Sequence, residues 1–336
     1  MEPLEALERI ATLLERSRAG RYKEAAFRRA ADAIRERSDE ELRALAGSGR
    51  LEALPGIGSS TARVIHQALA GEVPEYLARL EAEAAPDSGA GGTIRAALRG
   101  DLHLHSDWSD GGATVVAMAR RGAELGHEYL AVTDHSPSLS VAHGLEPERL
   151  EAQIELVARL NEELAPFRVL TGIEVDVLDD GRLDQAPDLL GALDVVVASV
   201  HSKLRMAGPA MTDRMVAAIA DPNTDILGHC TGRLVLGRGR PESEFDADLV
   251  FGACAHFDKA VEVNCRPERL DPPMHLLKEV ARLGCKVTID TDAHAVGQLE
   301  WQPYGCARAA DAGVEPEHIV NTWPVGRLLE WTASHG

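Results

Sequence analysis

The 336-residue chain contains no run of eighteen apolar residues, which argues against a membrane-spanning helix. Its first residues, Met1-Glu2-Pro3-Leu4-Glu5, show neither the basic start nor the apolar stretch of a secretory signal, and so predict a cytoplasmic protein. Cysteine is scarce: five residues, an odd number, with no Cys-x-x-Cys spacing. That speaks against a disulfide framework and suits a reducing compartment. Positive charge is short as well. The net charge of −19 weighs against broad, sequence-independent affinity for nucleic acid. The deficit is uneven: residues 1–85 hold 13 Lys and Arg against 15 Asp and Glu, and the rest of the chain carries 22 against 39.

What is present is organised around Asp101-Leu102-His103-Leu104-His105. Leu102 and Leu104 alternate with the two histidines, so a buried strand points both imidazoles to one face, close enough to share a metal ion. Asp110, five residues on in a Ser/Gly-rich turn, adds an oxygen ligand. The same chemistry recurs downstream at the ends of strand-like runs: Thr133-Asp134-His135, Gly172-Ile173-Glu174-Val175-Asp176, Ala198-Ser199-Val200-His201, Gly228-His229-Cys230 and Asp290-Thr291-Asp292-Ala293-His294. The runs lie near Gly100–Leu104, Tyr129–Thr133, Arg168–Val175, Leu193–Ser199, Ile226–Leu227, Ala260–Val263 and Lys286–Ile289. Helical patterns separate them, at Ala113–Leu125, Pro147–Leu164, Thr212–Ala220 and Met274–Leu283. Seven alternating units predict a parallel α/β barrel with its chemistry at the C-terminal strand ends.

The N-terminal part reads differently. Leu4, Leu7, Ile10, Leu14 and then Ala25, Ala26, Ala30, Ala33, Ile34 follow a helical period. Arg18, Arg21, Lys23, Arg28 and Arg29 cluster across the turn between the two helices. Leu54-Pro55-Gly56-Ile57-Gly58-Ser59-Ser60 then opens another helix, offering free amides to a phosphate and glycines that let a backbone approach. The small, polar, glycine-rich stretch that follows reads as a tether, leaving no room for a polymerase core before Asp101. The predicted division is 1–85, a linker at 86–94, and 95–336.

The first segment resembles a helix-hairpin-helix domain, as found at the N-terminus of bacterial family X DNA polymerases. That implies DNA contacts from Gly56, Gly58, Ser59, Ser60, Lys23 and Arg28, although Ser59-Ser60 stands where relatives commonly carry a Lys. The series Asp-x-His-x-His-Ser, Thr-Asp-His-Ser, Gly-x-Glu-Val-Asp, Ala-Ser-Val-His-Ser, Gly-His, Glu-Val-Asn and Thr-Asp-Ala-His resembles a polymerase-and-histidinol-phosphatase (PHP) domain. Thr231-Gly232-Arg233-Leu234, Arg269-Leu270-Asp271-Pro272 and Asn321-Thr322-Trp323-Pro324 extend the likeness.

This second resemblance implies a distorted seven-stranded, TIM-like (β/α)7 barrel holding three divalent metals. One would take His103, His105, Glu174 and Asp292; a second Asp110, His135 and His294; a third His201, His229 and the shared Glu174. A ligand set rich in imidazole suits Zn, Mn or Fe rather than Ca or Mg alone. A metal-bridging hydroxide would then be the nucleophile, with catalysis resting on Glu174, Asp292 and His201. Arg233, Arg269 and, less securely placed, Lys203 are candidates to clamp substrate phosphate, with surface ion pairing the competing explanation. Asp134 and Asp176 are read as orienting the ligands. Cys230 and Cys265 are read as core-lining thiols, and His66, His127, His143, His256, His275, His318 and His335 as surface or packing residues.

The expectation is a phosphoesterase acting on DNA 3′ ends in repair, as a 3′–5′ exonuclease or 3′-phosphatase. The alternatives are a small-molecule phosphomonoesterase of the histidinol-phosphatase kind and, in another class, a non-catalytic DNA-binding scaffold.

Overall fold

The computed structural model describes residues 1–17, 21–84, 91–236 and 239–335. They form two compact units, one built on Met1–Asp87 and the other on Ser88–Ala295 with Leu299–Gly336. Among the described residues no helix is long and apolar enough to cross a membrane.

The first unit consists of helices α1 (Pro3–Arg16), α2 (Arg21–Ile34), α3 (Asp39–Gly47), α4 (Ser59–Leu69) and α5 (Glu75–Ala84). The 3.6-residue period gives α1 a continuous apolar stripe, Leu7, Ile10 and Leu14, which packs in one core with Phe27, Ala30 and Ile34 of α2 and Ile65 and Ala68 of α4. Ser38 starts α3 by a reciprocal cap: its hydroxyl accepts from the Glu41 amide, and the Glu41 carboxylate accepts from its own. At the hairpin, Gly56 has a φ of +92°, a conformation that favours glycine. A Cβ there would also stand 3.0 Å from the Arg29 carbonyl oxygen. Ile57 is buried beside it, which anchors the turn to the core.

Arg18 and residues 86–90 of the expected linker lie outside the described residues. The end of that linker is corrected by the structure. Helix α6 (Gly92–Ala97) begins there, and Ile94 is buried in the core of the second unit. A Cβ on Gly91 would meet the Ala307 amide nitrogen at 2.5 Å, so this glycine serves a close approach rather than flexibility.

In the second unit seven parallel strands follow one another in chain order: β1 (Gly100–Asp101), β2 (Tyr129–Val132), β3 (Arg168–Asp176), β4 (Val195–Ser199), β5 (Ile226–Leu227), β6 (Ala260–Asn264) and β7 (Lys286–Asp290). Helices α7 (Val115–Glu124), α8 (Pro147–Leu164), α9 (Pro187–Leu190), α10 (Gly208–Ile219), α11 (Ala247–His256), α12 (Met274–Arg282), α13 (Gln302–Ala312) and α14 (Val325–Ala333) complete the chain. Strands covered on both faces read as unbroken apolar runs, as Val195-Val196-Val197-Ala198 does. The result is a nearly closed barrel. Strand β3 is its longest stave: Arg168–Thr171 pair with β2 and Gly172–Asp176 with β4, while His135 at the β2 exit still bridges Glu174.

Strand β1 is shorter than expected, because its ladder with β2 ends at Asp101. Beyond that point Leu104 still meets Thr133 at the β2 exit, and the chain also leans on β7 and its exit. The Leu102 amide donates to Asp290 Oδ1, the Asp292 amide to the His103 carbonyl, and the His105 amide to the Ala293 carbonyl. This irregular seam lays His103 and His105 alongside Asp292 and His294. Asn321 braces it from below: its Oδ1 accepts from the Ile289 amide at 2.7 Å and its Nδ2 donates to Asp290 Oδ1 at 2.8 Å. Tyr129 donates its hydroxyl to the Asn321 and Trp323 carbonyls.

Asn321→Ala would strand the buried Ile289 amide. The variant is expected to lose about 1–3 kcal/mol of stability, visible as a lower urea midpoint; an unchanged midpoint would remove Asn321 from this role.

Candidate metal centre and nucleic-acid groove

The nine residues expected as ligands converge at the C-terminal mouth of the barrel. Glu174 stands at their middle, 1% exposed. Its Oε1 lies 2.8 Å from His229 Nε2 and 3.2 Å from His201 Nε2. Its Oε2 lies 2.9 Å from His135 Nδ1 and 3.4 Å from Nε2 of both His103 and His105. One carboxylate thus faces five imidazoles from β1, β2, β4 and β5.

Among the described residues, four groups of side chains could each hold an ion, with ligand atoms all within 4.8 Å of one another. His103, His105 and Asp292 form one, and Glu174 Oε2 adjoins it, as the resemblance implied. Asp110, His135 and His294 form another, joined by His105. The third expected set divides: Glu174 groups with His103 and His229, and again with His135 and His201. Asp292 reaches its place through a φ of +51°, a strained conformation for a residue with a side chain.

Buried polar atoms normally find a hydrogen-bond partner. Here His105 Nδ1 and His229 Nδ1 have none, and His135 Nδ1, His201 Nε2 and His229 Nε2 meet only the two oxygens of Glu174. A desolvated cluster of lone pairs around carboxylates fits divalent cations, and the imidazole-rich donor set fits transition metals.

The electrostatics follow from burial. Burial works to raise the pKa of Glu174, but the surrounding imidazoles, His201 and His103 foremost, hold it well below the usual range. Burial also opposes charge on His103, yet Glu262 and Glu174 outweigh it and raise its pKa well above normal. His201, against the same penalty, is pushed up to about 9 by Glu174 and Asp176. His229 is depressed to about 3 by burial and by Arg269.

Supporting groups fix these side chains. Asp176 accepts from the His201 amide, and its Oδ1 lies 3.2 Å from His201 Nδ1, in keeping with an orienting role. Asp134 acts at one remove: it binds the Ser106 amide and the hydroxyls of Ser106 and Ser109, shaping the turn that carries Asp110. Sequence reasoning missed Glu262, whose Oε1 lies 2.6 Å from His103 Nδ1. It also missed Arg266, which donates to Asp292 Oδ1 at 3.1 Å and approaches His294 Nδ1 at 3.3 Å. Both sit in or beside the Glu-Val-Asn motif, which was the available signal.

The candidate phosphate groups divide. Arg269 donates to Asp292 Oδ2 at 3.0 Å, and its Nη1 is buried without a partner. Arg233 instead clasps the Arg269 and Leu270 carbonyls and Glu242, so its fork is engaged in loop structure. Lys203 is 62% exposed and paired with Asp179. Cys230 and Cys265 are buried thiols whose pKa burial raises well above normal, outside all four ligand groups. His143 is exposed on a left-handed turn. His127 is buried with both ring nitrogens unpartnered, a packing residue depressed to about 4 by burial.

In the helical unit, a groove of about 680 Å³ is lined by Lys23, Gly56, Gly58, Ser59, Ser60 and Arg63 among others. Tyr22 stands beside it 92% exposed, and Arg79 stacks over the Tyr76 ring at 4.9 Å. The first-turn amides of α4 have no acceptor within their helix, although the Gly58 amide donates to Thr61 Oγ1. Arg28 is corrected out of this surface: Glu15 and Glu24 hold its guanidinium.

Protonated His103 and His201 would each give up a proton to solvent when a cation binds. Metal affinity is therefore expected to rise with pH up to about 9, the value for His201. Calorimetric titration in buffers of different ionisation enthalpy should register net proton release at neutral pH, and its absence would contradict the assignment.

The helix-hairpin-helix domain family matches residues 1–73, and the PHP domain family matches residues 101–263. The chain is 38% identical over 224 residues to the DNA polymerase/3'-5' exonuclease PolX of Bacillus subtilis (strain 168), covering 67% of this chain but only 39% of that protein. It is 27% identical over 247 residues to a probable phosphatase of Thermoanaerobacter sp. (strain X514), covering 69% of this chain and 93% of that one. A similar protein, a probable phosphatase of Syntrophotalea carbinolica, is 27% identical over 243 residues, covering 69% of this chain and 93% of its own length. With the matched segments spanning the hairpin and most of the strands that bear the centre, the chain joins a helix-hairpin-helix domain to a PHP domain.

Proposed function

We propose that this protein is a metal-dependent phosphoesterase that removes nucleotides or phosphate from the 3′ ends of DNA. The observation that carries the hydrolytic reading is the convergence of nine His, Asp and Glu residues, six of them buried, with His105 Nδ1 and His229 Nδ1 left without a partner. Divalent cations bound there would polarise the phosphoryl group and make water a nucleophile near neutral pH. The ligands named above for the three ions supply the frame. Glu174 sits among five of the six imidazoles, Asp292 is locked between Arg266 and Arg269, and His201 is held by Asp176. Arg269 has a free donor to place on a phosphate oxygen. No cysteine competes as nucleophile, since burial keeps the Cys230 and Cys265 thiols protonated.

The DNA part of the proposal is supported by the groove beside the hairpin, where Lys23, Arg63 and the α4 amides face a backbone and Tyr22 offers a ring. Holding a DNA end on the same chain raises its effective concentration at the centre without adding a contact to the chemistry. The small-molecule phosphomonoesterase is the second reading. It is favoured by the near-complete coverage of the probable phosphatases and by the strongly acidic character of residues 86–336.

Two measurements separate these readings. Glu174→Ala is expected to lower turnover on every substrate by orders of magnitude while the fold survives; near-normal hydrolysis would relocate the active site. Lys23→Glu with Arg63→Glu should raise KM for DNA with 3′-hydroxyl and 3′-phosphate ends, most at low salt, and leave p-nitrophenyl phosphate unaffected. Equal KM on DNA across salt concentrations would select the small-molecule phosphatase.

A further inference from the structure

Seven strand ends surround the centre, and six supply side chains expected to bind metal. Strand β6 supplies none of them. Its two polar residues, Glu262 and Asn264, are nevertheless completely buried and lie at i and i+2, on the same face of the strand. Glu262 Oε1 lies 2.6 Å from His103 Nδ1. Glu262 Oε2 accepts from the His229 backbone amide at 2.6 Å and from Asn264 Nδ2 at 3.3 Å. The same Asn264 nitrogen reaches Asp292 Oδ2 at 3.2 Å. One carboxylate thereby touches ligand-bearing segments after β1 and β5, and through Asn264 the one after β7.

We propose that Glu262 is a positioning residue that sets the metal affinity of the centre, by holding the His103 proton on Nδ1 and leaving Nε2 for the ion. This deepens the metal-binding reading above and rests on it. A carboxylate only accepts, so each of its oxygens requires an N–H opposite. The proton of a singly protonated His103 must then lie on Nδ1, with the Nε2 lone pair turned toward Glu174 and His105, 3.4 and 3.3 Å away. Carboxylate partners of metal-bound histidine act in this way, and removing one typically weakens metal binding about 10- to 100-fold. A carboxylate with no exposure is costly to bury unless fully hydrogen-bonded, which explains why three N–H groups meet it. An amide of the same shape cannot replace it. Glutamine offers one accepting oxygen and one donating nitrogen, so in either orientation an NH2 confronts His103 Nδ1–H or the His229 amide.

The test uses the full chain and Zn(II) or Mn(II), with affinity measured by competition against a chromophoric chelator. Glu262→Gln is expected to weaken binding of at least one equivalent about 10- to 100-fold. Unchanged affinity in a folded Glu262→Gln protein overturns the proposal, while failure of the wild type to bind either metal overturns the underlying reading instead. A second readout does not depend on the variant folding. In zinc-loaded, 15N-histidine-labelled wild type, His103 should show a protonated Nδ1 and a coordinated Nε2; coordination through Nδ1 overturns the proposal.

Discussion

A carboxylate with almost no exposure to water, facing five imidazole rings, is the arrangement on which the rest of this barrel depends. Burial alone would neutralise Glu174, and the histidines reverse that outcome. Those rings must then be delivered from four strand ends, at a height where each nitrogen meets one of the two carboxylate oxygens. The long β3, which pairs with β4 while still bridging the β2 exit, puts Glu174 at that height. Gly172 has no room for a side chain, since a Cβ would lie 2.9 Å from both Thr133 Cγ2 and the Val195 carbonyl oxygen.

Around this middle, the walls differ in character. On the β6–β7 side, Arg266 and Arg269 converge on Asp292 from two directions, so the carboxylate is fixed by guanidinium groups as well as by the strained backbone beneath it. On the β3–β4 side, Asp176 steadies His201, and Arg214 ties the Val177, Leu178 and Ser202 carbonyls together beneath the same loops. Anionic substrate would meet donors mainly along the first of these walls, where Arg269 retains an unpaired nitrogen.

The candidate ligand positions stand out in the sequence because a strand has a period of two and metal chemistry needs a narrow choice of residues. His103 with His105, and Asp292 with His294, announce themselves by spacing. Partners that act through a ligand carry no such mark. Glu262 looks like any charged residue in an apolar strand, and Arg266 like any arginine in a loop, until the fold places them on His103 and Asp292. Arg28 misled for the opposite reason: it lies in a basic cluster, but its neutralising partners are one helical turn away and on the preceding helix. Gly91 shows that a glycine in a polar stretch serves close packing as readily as freedom. The brevity of β1 was likewise hidden, since nothing in Leu102-His103-Leu104 shows that its hydrogen bonds cross toward β7.

That crossing has a thermodynamic consequence. The sheet is closed between its first and last staves by backbone hydrogen bonds from the very residues that present His103, His105 and Asp292. Completing the cylinder and assembling the cation-binding centre are therefore one event. Any ion that prefers the assembled centre to the open chain works as a clasp on the barrel, adding stability in proportion to the logarithm of its free concentration over its dissociation constant. The candidate cation site lies in that sense on the seam where the first and last staves of the barrel meet.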